Sequence, residues 1–538
     1  MAKKLHKYPI LAGTLILSAA GMLTRLIGFF YKIYLADKIG TTELGIYQLI
    51  FPIYGLCFTV YGAGIQTALS QLIASEEGYH GNTLRPANTK QILTHALCIS
   101  VGLALFLSGM VSFFAEPIAR HFLLEIRCTS SLRILTILFP FCAVTACLNG
   151  YYYGVKKTGT PAFTQLIEQI ARVLFVYLVS NLFILRGKEV TCELAVAGIV
   201  AGEVISNFFI LICYCFHSRI KNKKTQASHP AKDNEPVNKK KSSVQSAMAK
   251  NIRQKNYKKT LTQLCYLAIP LTATKLITNV LHSAETILIP GMLKRYGLDA
   301  ATALSIYGVL TGMAMTFLLF PSTITSSFAV LLLPAISEEQ AKHNYKKINK
   351  MVNVTLKYSL LVGILFACLF FLYGPMLGNV FFHNELCGRF LVILSWLSPF
   401  IYLSTTISSI INGLGKTNYT FFSTIAGLGI RILFVVICIP RYGIHGYLVG
   451  MLISQILITM IEIYLLKKLV PYTFDSTNLL LLPGLSIIAS GGMGLFVSHY
   501  LLARLPQLIR LVAGGGITCI CFILFLLAFH ICGRKDFA

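Results

Sequence analysis

The stretch ILAGTLILSAAGMLTRLIGFFYKIYL, residues 10–35, is long and apolar enough to cross a bilayer, yet it carries Arg25 and Lys32. A hydrocarbon core about 30 Å thick takes roughly 20 residues of helix to span. Thr14, Ser18, Gly21, Arg25, Gly28 and Lys32 recur at spacings of three and four. The helical period therefore gathers the small, polar and charged residues on one face and leaves Leu, Ile and Phe on the other. A charge at the bilayer centre costs roughly 2.5–3.5 kcal/mol on insertion scales, so this stripe is expected to face protein or a watery cavity.

The rest of the chain repeats the apolar signal. Of 538 residues, 55% are hydrophobic and only 12% charged, against about 25% charged in an ordinary soluble domain. Cutting the apolar stretches at polar loops predicts an all-α polytopic membrane protein with about fourteen transmembrane helices, the first two over 10–35 and 44–74. The first segment is too long and too charged for a cleavable signal and is kept as a span. A net charge of +27 invites a nucleic-acid reading. Lys and Arg instead concentrate in alternate loops, as positive-inside orientation requires, so no nucleic acid is expected and both termini are placed in the cytoplasm, with the chain in the cytoplasmic membrane.

Between His217 and Thr260 the apolar pattern stops. Thirteen Lys and Arg against Asp233 and Glu235 give this stretch a net charge of +11. It reads as a basic cytoplasmic linker, 217–262, unfolded on its own and lying against anionic headgroups. It separates an N-terminal lobe, 1–216, from a C-terminal lobe, 263–466, with two extra helices and a tail over 467–538.

The two lobes are related by an internal repeat. An offset of 259 sets Gly154 on Gly413, Lys157 on Lys416, Thr158 on Thr417, Arg172 on Arg431, Phe175 on Phe434 and Pro140-Phe141 on Pro399-Phe400. LIASEE at 72–77 echoes LPAISEE at 333–339 with a slightly different offset. Two six-helix bundles in parallel repeat follow, since an even number of crossings returns both copies to the same orientation.

Enzyme chemistry finds little footing. GLGKT at 413–417 resembles the tail of a phosphate loop but lacks the earlier Gly, where Ile410 stands, and falls in a turn between two spans. The fifteen cysteines lie mostly in apolar spans, form no CxxC and read as small hydrophobes, with Cys128, Cys192 and Cys387 near outer loops; no metal site is expected. What remains is charge inside the membrane. Lys275, Asn279, His282 and Glu285 or Thr286 give the seventh span a polar stripe of its own. Arg172 has Glu168 four residues before it, a spacing that neutralises, whereas Arg431 has Gly427 there and reads as the freer cation. The other acidic residues within spans are Glu203, Glu285 and Glu462. Glu285 shares a face with His282 as a protonatable pair suited to coupling by H+ or Na+, and equally suited to holding helices together. The field is more cationic than anionic, and Arg suits phosphate oxygens.

The run AGTLILSAAGMLTRLIGFFYKIYLADKIG followed by LGIYQLIFPIY resembles the stage V sporulation protein B group of polysaccharide-biosynthesis membrane proteins. That group lies in the multidrug/oligosaccharidyl-lipid/polysaccharide exporter superfamily, which also holds the MurJ-type lipid II flippases. The resemblance implies a flippase, not an enzyme, that moves a polyprenyl-diphosphate-linked saccharide, a peptidoglycan or polysaccharide precursor, by alternating access. Thr24, Arg25, Gly28 and Phe29 meet the family's first-helix motif, which implies a head-group-binding role for Arg25. Tyr31-Lys32 replaces the Arg-Asp that follows in MurJ-type members, and their second-helix Asp and Arg have no counterpart, since Glu43 is the only charge between Thr41 and Ser75. The substrate-binding candidates are Arg25, Lys32, Lys275 and Arg431, with His282 and Glu285 for ion coupling. No cofactor is expected, the substrate and anionic lipid are the expected partners, and a monomer is the expected state. Two other classes compete: a cation-coupled multidrug antiporter of the same superfamily, which calls for an acidic cavity, and a non-transporting scaffold for wall synthesis.

Overall fold

The structure, a computed structural model, describes residues 9–80, 89–227, 242–470, 479 and 481–531. Helices make up nearly all of these residues, and there is no strand among them. In lipid, a helix satisfies every backbone polar group within its own segment, which is why apolar runs of this length fold so. Twelve helices among the described residues are long and apolar enough to cross a membrane, thirteen when Cys128–Thr136 and Leu138–Gly154, bent by 44°, count as one span. The longest, Leu15–Glu76, runs 62 residues, about three times what one crossing needs. It breaks at Gly40, whose φ of 76° and ψ of 176° are open to glycine alone. Divided there, it supplies the two expected spans over 10–35 and 44–74 and brings the total to about the fourteen expected.

Packing groups the chain into two compact units that do not follow the expected lobes 1–216 and 263–466. The first takes the described parts of Met1–Gly21, Ile50–Lys188 and Glu193–Val280; the second takes those of Met22–Leu49, Glu189–Cys192 and Leu281–Ala538. Two helices are each shared between units: Pro9–Phe58 and Ser242–Arg295. At about 1.5 Å per residue they are far longer than one bundle is deep, so each buries different turns in different surroundings. The linker expectation also changes. Residues 228–241 lie outside the described residues, but helix Cys192–Ala227 runs on into the basic stretch and helix Ser242–Arg295 begins within it. Its Lys, Gln and Ala are good helix formers, which low hydrophobicity alone did not reveal.

In the first unit, Ile65, Leu69 and Ile73 pack with Leu93, Ala96, Leu148, Tyr152 and Leu264. In the second, Ile336, Ile348, Val352, Ile407, Ile410 and Leu466 form one apolar cluster. A further cluster, Leu361 with Ile487, Phe522 and Leu526, fastens the two C-terminal helices Leu482–Phe496 and Gln507–Ala528 to helix Tyr345–Phe382. Without a hydrophobic drive between helices in lipid, close backbone approach matters more. Gly45 and Gly308 meet that need: a Cβ on Gly45 would stand 2.2 Å from the Leu304 carbonyl, and one on Gly308 2.2 Å from the Thr41 carbonyl.

The repeat reappears in these contacts. Gly154 lies against Ile73 in one unit as Gly413 lies against Ile336 in the other. Asn207 Nδ2 donates to the Phe141 carbonyl at 2.9 Å, and Thr459 Oγ1 to the Phe400 carbonyl at 3.2 Å. Phe141 and Phe400 keep the offset of 259, while Asn207 and Thr459 differ by 252, so the register of the sixth helix is shifted by the loop before it.

At the end of helix Ser322–Ala341, the Glu339 carboxylate takes Lys347 Nζ at 2.7 Å and Asn344 Nδ2 at 3.0 Å, with Lys342 at 3.9 Å. The hydrogen bond from Lys347 holds its carboxyl below the ordinary range. A carboxyl held low in the folded state adds stability that is complete above the unfolded value, about 4.3 for Glu, and lost as pH falls through the folded value. Glu339→Gln is expected to melt earlier than the parent at pH 7, and the gap should close as the pH is taken below 4; a gap that persists there would contradict this. Gly40→Ala should cost about 1–3 kcal/mol in detergent melts through backbone conformation alone, since nothing lies within 4 Å of its Cβ. Gly109→Ala, equally unobstructed but helical, should be neutral or slightly stabilising.

Candidate functional site

Arg25 and Lys32 both belong to the second unit. Phe29 between them sits edge-on to Phe317 at 5.2 Å and tilted against Phe320 at 4.7 Å, fixing this turn of the first helix against the segment from Met315 on. Arg25 is exposed and its Nη1 donates to Ser326 Oγ at 2.6 Å. Lys32, half-buried, donates to Thr316 Oγ1 at 3.3 Å. Among the described residues neither has a carboxylate partner, so their charges are solvated by hydroxyls and left available to an anion.

Lys275 lies in the first unit. Its Nζ donates to the Ala63 carbonyl at 2.9 Å and to Thr67 Oγ1 at 3.1 Å, again with no carboxylate among the described residues. Asn279 reaches Thr59 Oγ1 and the Gly55 carbonyl. Two of these acceptors, Thr59 Oγ1 and the Ala63 carbonyl, lie on Thr59–Ala63, a π-helical turn in which the usual carbonyl acceptors are displaced, and Gly55 and Thr67 flank it. The seventh-span stripe expected to act as one surface is therefore split: Lys275 and Asn279 satisfy the π turn, and His282 and Glu285 belong to the other unit.

There, Glu285 is 5% exposed and its Oε1 accepts from Tyr447 OH at 2.8 Å. Arg431 Nε stands 3.2 Å from the same oxygen without the alignment of a hydrogen bond, and His282 Nδ1 is 3.7 Å from Oε2. Arg431 is thus not the freer cation; its neutralising carboxylate comes from 146 positions earlier, beyond the reach of local spacing. These side chains, with Thr286, Tyr307 and Thr311, line a cavity of about 130 Å³. That is well below the 300–1,000 Å³ of ligand pockets, room for an ion or a few waters but not for a head group. A matching Arg in the first unit, Arg172, is held by Glu168 on its own helix and by Gln169 at 3.3 Å.

Among the described residues no two cysteines are joined in a disulfide, and no three His, Cys, Asp or Glu come together as metal ligands. Tyr447, Ser326 and Thr316 were not expected at the site; each is an ordinary residue on an apolar helix, marked only by its tertiary neighbour. Glu285→Gln leaves Arg431 buried without its counter-charge and should destabilise by about 3–5 kcal/mol, while Glu285→Gln with Arg431→Gln should cost clearly less than the two single changes summed. A double-mutant cycle on detergent melts measures this; additive costs would show that the pair does not interact.

Comparison with known proteins bears on the family and the fold. Residues 10–340 match the family model described as Polysaccharide biosynthesis protein, and residues 270–437 match the MatE model. Stage V sporulation protein B of Bacillus subtilis (strain 168) is 26% identical over 534 residues, covering 98% of this chain and 97% of the relative. Lipid II flippase MurJ of the same organism is 22% identical over 549 residues, covering 95% and 94%. A solved structure, Lipid II flippase MurJ in an inward closed conformation, superposes with a TM-score of 0.68 at 16% identity, covering 95% of this chain and 99% of that one, which establishes the shared fold. A match over more than half of the chain, joined to a polytopic helical fold with cations at membrane depth, means that the chain belongs to the polysaccharide biosynthesis protein family, as a multi-pass membrane transporter of the multidrug/oligosaccharidyl-lipid/polysaccharide exporter superfamily.

Proposed function

We propose that this protein is a flippase that moves a polyprenyl-diphosphate-linked saccharide, a precursor of peptidoglycan or another polysaccharide, across the cytoplasmic membrane, with both termini in the cytoplasm. The observation that carries this reading is that Arg25, Lys32 and Lys275 hold positive charge within spans on hydroxyls and carbonyls, with no carboxylate among the described residues. Charge at that depth is costly, and an anionic ligand turns the cost into binding. A diphosphate offers oxygens on several sides, and Arg meets them with a planar fork of donors. The relatives named for flipping lipid II support the lipid-linked class of substrate. Arg431 takes a smaller part here than its sequence position suggested, because Glu285 already neutralises it. The basic linker is assigned to anionic headgroups, and the protein works as a monomer.

The competing reading is cation-coupled export of drugs, supported by the MatE match over residues 270–437. Arg25, Lys32 and Lys275, which no carboxylate neutralises among the described residues, repel cationic drugs. Native mass spectrometry of the purified protein should show a co-purifying polyprenyl-diphosphate adduct, lost in Arg25→Ala and partly kept in Arg25→Lys. In vesicles Arg25→Ala should slow lipid movement about tenfold or more, the worth of one charge-assisted hydrogen bond. A well-folded Arg25→Ala protein moving lipid at the parental rate would sink the assignment, and resistance to cationic dyes on expression would favour the antiporter.

A further inference from the structure

Glu462, on helix Ile444–Leu469, is 1% exposed and takes no part in the site above. Its Oε2 accepts from Ser404 Oγ at 2.6 Å and its Oε1 from Ser408 Oγ at 2.6 Å. Ser423 Oγ lies 3.5 Å from Oε1 and also donates to the Thr420 carbonyl at 3.0 Å. Among the described residues no Lys, Arg or His pairs with this carboxylate, whereas Glu168 and Glu285 each have an arginine.

The surroundings offer no hidden counter-charge. On its own helix, Lys467 and Lys468 are exposed beyond the next turn, and His445 stands at the far end. On helix Thr417–Tyr442, Arg431 is engaged with Glu285 and Arg441 lies in the last turn. Tyr402 donates to the Leu318 carbonyl, and Glu385 pairs with Arg389 at the surface.

The fold itself does not require a carboxylate here. Asn207 and Thr459 mark the same place in the two copies of the repeat, and three residues on from them stand Ile210 and Glu462. Ile210 is fully buried in an apolar cluster with Leu148 and Tyr151. One copy fills this position with hydrocarbon; the other keeps an acid at the expense of desolvation.

A polar track leads to it. Ser404, Ser408 and Asn412 follow one another at intervals of four along helix Ser398–Gly413, and Asn412 Oδ1 accepts from Thr420 Oγ1 at 2.8 Å. The track spans about 12 Å at 1.5 Å per residue and ends at the turn 413–417, where Gly415, Lys416 and Thr417 are exposed. That turn is the GLGKT segment.

We propose that Glu462, Ser404, Ser408 and Ser423 form a binding site for a monovalent cation, a proton or Na+, reached along this track from the 413–417 turn. Two carboxylate oxygens and three hydroxyls make a hard, all-oxygen set with one negative charge, which a single positive charge neutralises. Hydroxyls rotate, so they donate to the carboxylate when the site is empty and turn lone pairs to a bound Na+. A proton occupies the same place as a covalent O–H donated to a serine. The site is assigned as the coupling-ion site of the proposed transport; that role rests on the transport reading, while the binding itself does not.

The test uses the purified full-length protein in weakly buffered detergent with a pH-sensitive dye. NaCl added at neutral or mildly alkaline pH should displace about one proton per chain if both ions share the site; choline chloride should displace none. If only the proton binds, NaCl has no effect and a direct acid titration of parent minus Glu462→Gln shows one missing group. Glu462→Gln, which matches the neutral acid in shape, should abolish either signal, and Ser408→Ala, which keeps the charge, should raise the midpoint for Na+ about tenfold or move the acid midpoint. Glu385→Gln, at the surface beside Arg389, should leave both signals in place. An unchanged response in Glu462→Gln, or no response to either ion in the parent, overturns the proposal. Lipid movement in vesicles is measured separately: cation binding that persists while no lipid moves would refute the flippase reading and leave the site standing.

Discussion

Positive and negative charge inside a hydrocarbon layer has to be accounted for group by group, and the manner of accounting separates scaffold from site in this protein. Arg172 and Arg431 meet carboxylates: Glu168 neutralises Arg172 within its own helix, and Glu285 joins the helix of Arg431 to another. Among the described residues Arg25, Lys32 and Lys275 meet only hydroxyls and carbonyls. The first arrangement is complete in itself; the second is, under the proposed function, completed by the anionic substrate.

Departures from regular helix are placed where this chemistry needs them. Gly40 breaks a 62-residue stretch that would otherwise be far too long for one crossing. The π turn at Thr59–Ala63 frees acceptors that Lys275 and Asn279 then satisfy. A second π turn, Val309–Ala314, ends just before Thr316, which takes the Lys32 ammonium. Backbone irregularity in lipid survives only where protein groups re-satisfy it, as Lys275 does at the Ala63 carbonyl.

The two copies of the repeat have diverged in charge while keeping their contacts. Asn207 and Thr459 do the same work on Phe141 and Phe400, and Gly154 and Gly413 allow the same close approach. Against that constant frame, Arg172 is held from its own helix and Arg431 from another, and Ile210 faces an apolar core where Glu462 meets three serines. Position in the repeat therefore predicts packing better than it predicts electrostatics, because backbone geometry is shared but each counter-charge arises separately.

Sequence alone determined the fold class, the approximate number of crossings, the repeat and the presence of charge at membrane depth. All of these follow from period and composition, which are local: a 3.6-residue stripe or a 20-residue apolar run is legible wherever it occurs. The family likeness, legible in residues 10–77, named the class of transporter. Only the tertiary structure decided which charges are spent. Glu285 and Arg431 lie 146 positions apart, and the long helices Pro9–Phe58 and Ser242–Arg295 each divide their turns between two units, splitting a stripe that looks continuous in sequence. Neutralisation acts over a few ångströms of space and is blind to chain distance, so no spacing rule along the chain could have shown that Arg431 is paired while Arg25 is not.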